Sequence, residues 1–130
     1  MVTKMSTRCN IAFYSESNKK QKDFDVILYK HYDGYPDGIL PVLLPFCTSF
    51  QQNRGLSDSQ YAGAWCMYEF CKYYRSYTSE TDFLGHGITD SIHGDIEYLY
   101  KIYPDRLEVM DVKYDKNLNQ KFKLVKSIKL

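Results

Sequence analysis

The order of patterns along the chain predicts an α+β fold: a single domain with an antiparallel sheet of about five strands, in the order ββ-αα-βββ, and helices packed on one face. Three observations carry that expectation. Two short β-like runs open the chain, a helical stretch fills its middle, and three alternating runs separated by tight turns close it. The length of 130 residues suits one domain. At that size folding buries roughly two thirds of the unfolded surface, so neither a disulfide nor a metal is needed for stability. Residues 1–5 are expected to be a disordered extension, because Met5-Ser6-Thr7-Arg8 reads as a natural beginning.

Cys9 to Tyr14 and Phe24 to His31 are the two opening runs, joined by a polar stretch from Ser15 to Asp23. In the second, Phe24, Val26 and Leu28 alternate with Asp25, Ile27 and Tyr29, the period of a strand. A hairpin is the simplest arrangement, and it sets Arg8 beside His31. Asp33-Gly34 and Pro36-Asp37-Gly38 are turn chemistry: glycine supplies positive φ, proline presets it, and aspartate bonds its own backbone. Ile39 to Phe50 is apolar but interrupted by Pro41 and Pro45, which predicts a short or broken helix with Pro41 in its first turn, where a missing N–H costs nothing.

The strongest helical pattern runs from Ser57 to about Tyr77. Ser57 and Gln60 read as a capping box. Gly63, Met67, Phe70, Cys71 and Tyr74 fall on one face and are expected to meet the sheet. The opposite face carries Tyr61, Trp65, Tyr68, Lys72 and Arg75. It is too aromatic for a plain solvated surface, and packing under the preceding helix is the expectation. The alternative is an aromatic and basic surface that stacks a base or docks a partner. Gly85-His86-Gly87 and His93-Gly94-Asp95 read as loop punctuation. Asp95 to Tyr103, Leu107 to Tyr114 and Phe122 to Leu130 then form a meander, turning at Pro104-Asp105-Arg106 and at Asn117-Leu118-Asn119.

A net charge of +1 with interspersed acids and bases gives no global field toward nucleic acid or membrane. The lopsided segment is Lys121, Lys123, Lys126 and Lys129, with no acid after Asp115. Lysines of this kind guard an edge strand against pairing; a polyanion-binding strip is the alternative. No stretch approaches the ~18 apolar residues of a membrane span, and no signal-peptide core opens the chain. A cytoplasmic protein with Cys9, Cys47, Cys66 and Cys71 reduced is therefore expected. None of the four forms a C-x-x-C pair, which argues against a zinc or redox motif. The thirteen tyrosines suit half-buried sheet faces and binding surfaces alike.

All three histidines stand beside glycine or aspartate in loop-like stretches: His31, His86 and His93. If the third strand lies antiparallel beside the second, His93 and Asp95 reach the same sheet end as Arg8, His31, Asp33 and Tyr35. Arg8, His31, Asp33, Tyr35, His93 and Asp95 are accordingly the candidate ligand-binding residues. Arginine offers a bidentate anchor for an anion. Two imidazoles and an arginine also suit metal-free phosphodiester cleavage, one imidazole as base and one as acid. Against both stands a plain structural role, with Asp33 capping the turn and Arg8 closing a salt bridge across strands. Neither H-x-D nor H-G-D is a known metal-ligand spacing, so no metal or other cofactor is expected. Cys9 is not N-terminal and reads as a small buried thiol rather than a nucleophile. There is no G-x-S-x-G, no phosphate-binding G-x-x-x-x-G-K and no dinucleotide fingerprint.

Thr7-Arg8-Cys9-Asn10-Ile11, followed by Tyr29-Lys30-His31-Tyr32-Asp33-Gly34-Tyr35-Pro36, resembles a family of small proteins found in bacteriophages, prophages and some prokaryotic genomes. The family pattern is approximately T-R-x-x-I and then Y-x-H-W-D-G-Y-P, with Tyr32 standing here where tryptophan is usual. His93-Gly94-Asp95-Ile96-Glu97-Tyr98-Leu99-Tyr100 is similar to a later G-D-I-E-Y-x-Y strand of the longer members. The resemblance implies a context of mobile genetic elements and host–virus interaction, with a counter-defence or host-takeover role. The expected partners are an anionic small molecule, such as a nucleotide signal, or a host protein. Nucleic acid and a second copy of the chain are further alternatives, and no membrane is expected.

Overall fold

A computed structural model describes residues 7–75 and 85–130. Two helices and six strands follow in the order β1 (Cys9–Phe13), β2 (Val26–Lys30), α1 (Pro36–Asn53), α2 (Ser59–Arg75), β3 (His86–Thr89), β4 (Tyr98–Tyr103), β5 (Arg106–Tyr114) and β6 (Gln120–Lys129). The α+β class stands, but the sheet is six-stranded and mixed, in the order β3-β2-β1-β4-β5-β6. The expected hairpin forms, with Cys9 opposite Lys30 and Phe13 opposite Val26. The correction concerns β4, which lies parallel beside β1, Cys9 opposite Tyr98, instead of antiparallel beside β2. All five β1 residues are buried. A strand buried on both faces belongs at the centre of a sheet, and pairing with β4 gives it that place.

The second correction is β3. His86–Thr89 reads as loop in the sequence yet pairs antiparallel with β2, His86 opposite Lys30. The meander of β4, β5 and β6 is as expected, and the lysine-rich β6 is indeed an edge strand.

The prolines do not break α1, which runs continuously for 18 residues. Pro36 occupies its first turn, and Tyr35 before it is extended at φ −74 and ψ 155, the conformation that a residue preceding proline favours. Pro41 and Pro45 remove bonds to the carbonyls of Asp37 and Pro41. All three residues are exposed, so the freed carbonyls lie on the side that water can reach and the helix survives the loss. α2 begins at Ser59, where Asp58 carbonyl receives the Ala62 N–H. Ser57 therefore lies outside it, and Asp58, one residue after the expected cap, holds the N-cap position. Its buried stripe is Ala62, Cys66 and Phe70, while Cys71 is exposed and does not meet the sheet. The side chain of Tyr74 lies outside the described residues, as do residues 1–6 and 76–84. The helix packs close, since a Cβ on Gly63 would sit 2.6 Å from Val26 Cγ1.

Both helices lie on one face, over a core that includes Ile11, Phe13, Leu28, Leu43, Phe70, Tyr100 and Ile102. The other face carries its own core of Ala12, Tyr14, Ile27, Ile96, Leu99, Tyr103, Met110 and Val112. Loops cover it: Tyr14 and Tyr103 stack at 4.4 Å and their hydroxyls donate to the carbonyls of Gln21 and Lys19. Among the described residues no helix is long and apolar enough to cross a membrane.

The turn between β2 and α1 allows little substitution. Asp33 adopts φ 57, a left-handed conformation that aspartate tolerates better than most residues. Gly34 donates to Thr7 carbonyl at 3.0 Å, and a Cβ there would lie 2.9 Å from Cys9 Cβ and Sγ and 3.0 Å from Thr7 O. Backbone blocks one side of that space. Gly34→Ala is expected to cost about 1–3 kcal/mol through overpacking, read as a lowered urea midpoint at unchanged slope. A neutral result would mean that the turn moves freely away from β1.

Candidate functional site

Polar side chains collect at one end of the helix-free face. Tyr29 sits opposite Asn10 in the hairpin, and residues two apart on a strand share a face. Arg8 and His31 therefore flank that pair on the same side. The 90–97 loop brings the rest. It is held down by Ile92 and Ile96 in the core of this face, and by hydrogen bonds at His93. The His93 N–H donates to Asn10 Oδ1 at 2.8 Å, and its carbonyl accepts from Gln120 Nε2 at 2.7 Å. Asn10 is fully buried, and its Nδ2 donates to Leu28 carbonyl at 2.9 Å. An amide so satisfied fixes the loop to the strand.

Tyr29 is the hub. Its hydroxyl donates to Asp95 Oδ2 at 3.2 Å and lies 3.3 Å from His31 Nδ1. Its ring stacks on His93 with centroids 4.2 Å apart. Arg8 Nε is 3.4 Å from the same Asp95 oxygen. His93 is pinned further, with Nε2 2.9 Å from Thr89 Oγ1 and Nδ1 4.0 Å from Asp95 Oδ1. Burial, and after it the Asp95 carboxylate, push the Tyr29 phenol up to about 12, so it keeps its proton. That proton points to Asp95. The contact with His31 then requires Nδ1 to donate, which leaves Nε2 on the far side of an exposed ring as the open position, an acceptor in the neutral ring and a donor to an anion only in the imidazolium.

Of the sequence-predicted residues, Arg8, His31, His93 and Asp95 come together. They meet although β4 is not beside β2, because β1 and β4 run the same way and both oppose β2. Asp33 and Tyr35 do not join them. Beyond His31 the chain passes to the helix side, where Asp33 is electrostatically coupled to Lys30, and Tyr35 precedes α1 with its ring against Gly38. His86 is also on that side, between Tyr32 at 5.7 Å and Phe70 at 5.8 Å. Sequence reasoning missed Tyr29, Asn10, Thr89 and Gln120 as members. Two signals were available: an amide inside the apolar run C-N-I-A-F, and a tyrosine two residues before a strand-end histidine.

The aromatic face of α2 does not pack under α1. Tyr61, Trp65 and Tyr68 are 52%, 53% and 51% exposed, because the small side chains of Ala62 and Cys66 take the buried stripe. Arg54 covers the Tyr61 ring at 4.0 Å, Lys72 stands 5.3 Å from the Tyr68 ring, and Trp65 meets Tyr68 edge-on at 5.6 Å. The Arg75 side chain lies outside the described residues. Among the described residues no group of three His, Cys, Asp or Glu side chains is placed to hold a metal ion.

Fold and site together define an α+β sheet domain with a tyrosine-centred cluster of arginine, two histidines and aspartate at one sheet end. Comparison with protein-family models, with curated proteins and with solved structures finds no match.

Proposed function

We propose that this chain is a binding domain that holds an anionic, phosphate-type small molecule over the cluster of Arg8, Tyr29, His31 and His93. The observation that supports it best is the convergence of two imidazoles on one tyrosine, with a guanidinium beside them. Tyr29 and the pinned loop hold the Arg8 guanidinium and the His31 ring in place before a ligand arrives, which lowers the ordering cost of binding. The resemblance to phage and prophage proteins adds a context in which sequestering a nucleotide signal serves counter-defence.

Titration calorimetry with a cyclic dinucleotide and with inorganic pyrophosphate tests the reading. Arg8→Ala and His31→Ala are each expected to weaken binding about 10- to 100-fold, the worth of a charge-assisted hydrogen bond. Tyr29→Phe keeps the stacked ring but frees His31 and Asp95, and should weaken binding less. Absence of heat with both anions, or unchanged affinity in the Arg8 and His31 variants, would sink the proposal. The second reading, a metal-independent phosphodiesterase with His31 and His93 as acid and base, draws on the same shared tyrosine. It requires turnover of RNA or a cyclic oligonucleotide that disappears in the His31→Ala/His93→Ala double variant.

A further inference from the structure

A separate surface, on the helix side of the sheet and away from the Tyr29 cluster, has the make-up of a peptide-docking site. Between α1 and β6 runs a groove of about 840 Å³, lined by residues from Pro36 to Gln52 and, on the strand side, by Lys126 and Ile128. The lining positions span most of α1, about 24 Å at the rise of a helix. Leu40, Leu44, Pro41, Pro45 and Ile128 make it mainly apolar, and Asp37 is the one acid among the described residues that line it.

The strand that walls this groove is open. β6 is ten residues long and, among the described residues, pairs with β5 alone, so its outer N–H and C=O groups face outward as a template for another strand. Register tells which side chains share the groove's face. Ile128 and Lys126 lie opposite Leu107 and Val109, two residues of the helix-side core. Beyond the bulge between Val109 and Met110, Lys123 and Lys121 lie opposite Asp111 and Lys113, on the same face by alternation. Asp111 is already engaged by Lys113 at 3.7 Å. The apolar groove thus continues into a strip of Lys126, Lys123 and Lys121.

We propose that an acidic, extended segment of a partner protein adds to β6 as a seventh strand. Its acidic side chains alternate over Lys121, Lys123 and Lys126, and one apolar side chain enters the groove beside Ile128. Main-chain bonds supply affinity in such strand addition, and alternate side chains supply specificity. A second copy of the chain does not fit the strip, because pairing two β6 edges brings lysine against lysine, and like charges directly opposite each other destabilise a sheet. The lysines that discourage self-pairing therefore select an acidic strand.

Panning a displayed library of random dodecapeptides tests the proposal. The whole chain is panned in parallel with two variants at exposed positions: Lys123→Glu/Lys126→Glu, which reverses the strip, and Thr48→Trp, which fills the groove. Circular dichroism and thermal melting confirm that both variants fold. The expected outcome is enrichment of peptides with acids at alternate positions next to an aliphatic residue. The best of them, synthesised and labelled, should lose at least about tenfold in affinity to each variant by fluorescence anisotropy and weaken with added salt. N-methylation of the amides that face β6 should abolish binding. Enrichment of peptides without acids, equal binding to the reversed variant, or no enrichment overturns the proposal. Indifference to N-methylation overturns the strand-addition geometry.

Discussion

Replacing Glu108 by alanine is expected to destabilise the fold by about 3 kcal/mol, the low end of the cost of leaving one buried charge, the Lys101 ammonium, without its carboxylate. Glu108 lies between two cations on the loop-covered face. Lys101 Nζ is 3.4 Å from Oε1, and Arg106 Nε donates to Oε2 at 2.7 Å. Lys101 is 7% exposed, and without the carboxylate it keeps only the neutral Gln21 Oε1, at 3.3 Å, as a hydrogen-bond partner among the described residues. Arg106 also stacks on the Tyr103 ring at 3.9 Å and donates to Ser17 carbonyl, so its misplacement loosens the loop over the Tyr14–Tyr103 pair. Urea unfolding measures the loss. Lys101→Met/Glu108→Leu, which removes the charges together, should recover a large part of it. Equal loss in the double variant would show that the loop, not the charge pair, carries the energy.

Lys30→Met is expected to change the pH dependence of stability and, near neutrality, to stabilise the protein. Lys30 is fully buried on the helix side of β2, with its ammonium 4.3 Å from the Tyr32 ring centroid. Burial pulls its pKa from 10.5 down to about 8, and Cys9 and Asp33 restore only part of the difference. Between those two values the unfolded chain binds more protons than the fold, so the stability tied to this group rises with pH across that window. Below about pH 8 the fold carries the net cost of a buried charge that this lowered pKa reflects. Methionine keeps the volume and removes that cost, for a gain of about 1–4 kcal/mol at pH 7. The gain should shrink as pH climbs from 8 toward 10.5. Burial pushes the Cys9 and Cys47 thiols up to about 12, which lowers the stability of both proteins above pH 9. The informative quantity is therefore their difference, from urea titrations at each pH. A difference that stays flat with pH, or a methionine variant that is less stable at pH 7, would mean that the aromatic contacts of the ammonium outweigh its burial.

What the sequence revealed follows how local each determinant is. The β1–β2 hairpin and the nearness of Arg8 to His31 could be read because alternation and adjacency along the chain point to both. The parallel partner of β1 could not, since nothing within Tyr98–Tyr103 distinguishes one neighbour from another. His86–Thr89 contains a glycine and only four residues, too few for a period to show, and its pairing with β2 comes from tertiary contact. Pro41 and Pro45 looked like breaks because proline's cost depends on which side of the helix it faces, a fact settled only once α1 is docked. The block from His31 to Gly38 divides for a similar reason. Its glycines, proline and Asp33 serve the turn and the start of α1, and only His31 stays with the cluster. The histidine beside an arginine was the informative part, while Tyr29, which joins them to Asp95, was hidden among thirteen tyrosines.

The parallel pairing of β1 with β4 also has a consequence for the order in which the molecule is made. Cys9 waits for Tyr98 and Phe13 for Ile102, so the most buried strand acquires its second neighbour only after some ninety further residues leave the ribosome. At about 5–20 residues per second that delay is roughly 5–18 s. Until it ends, the hairpin and helices carry the unpaired edge of an apolar strand. Non-local pairing of this kind also slows folding from the full-length chain. Nascent chains arrested before residue 98 should therefore be captured by chaperones or aggregate, whereas chains released past residue 103 close the sheet's centre and escape both fates.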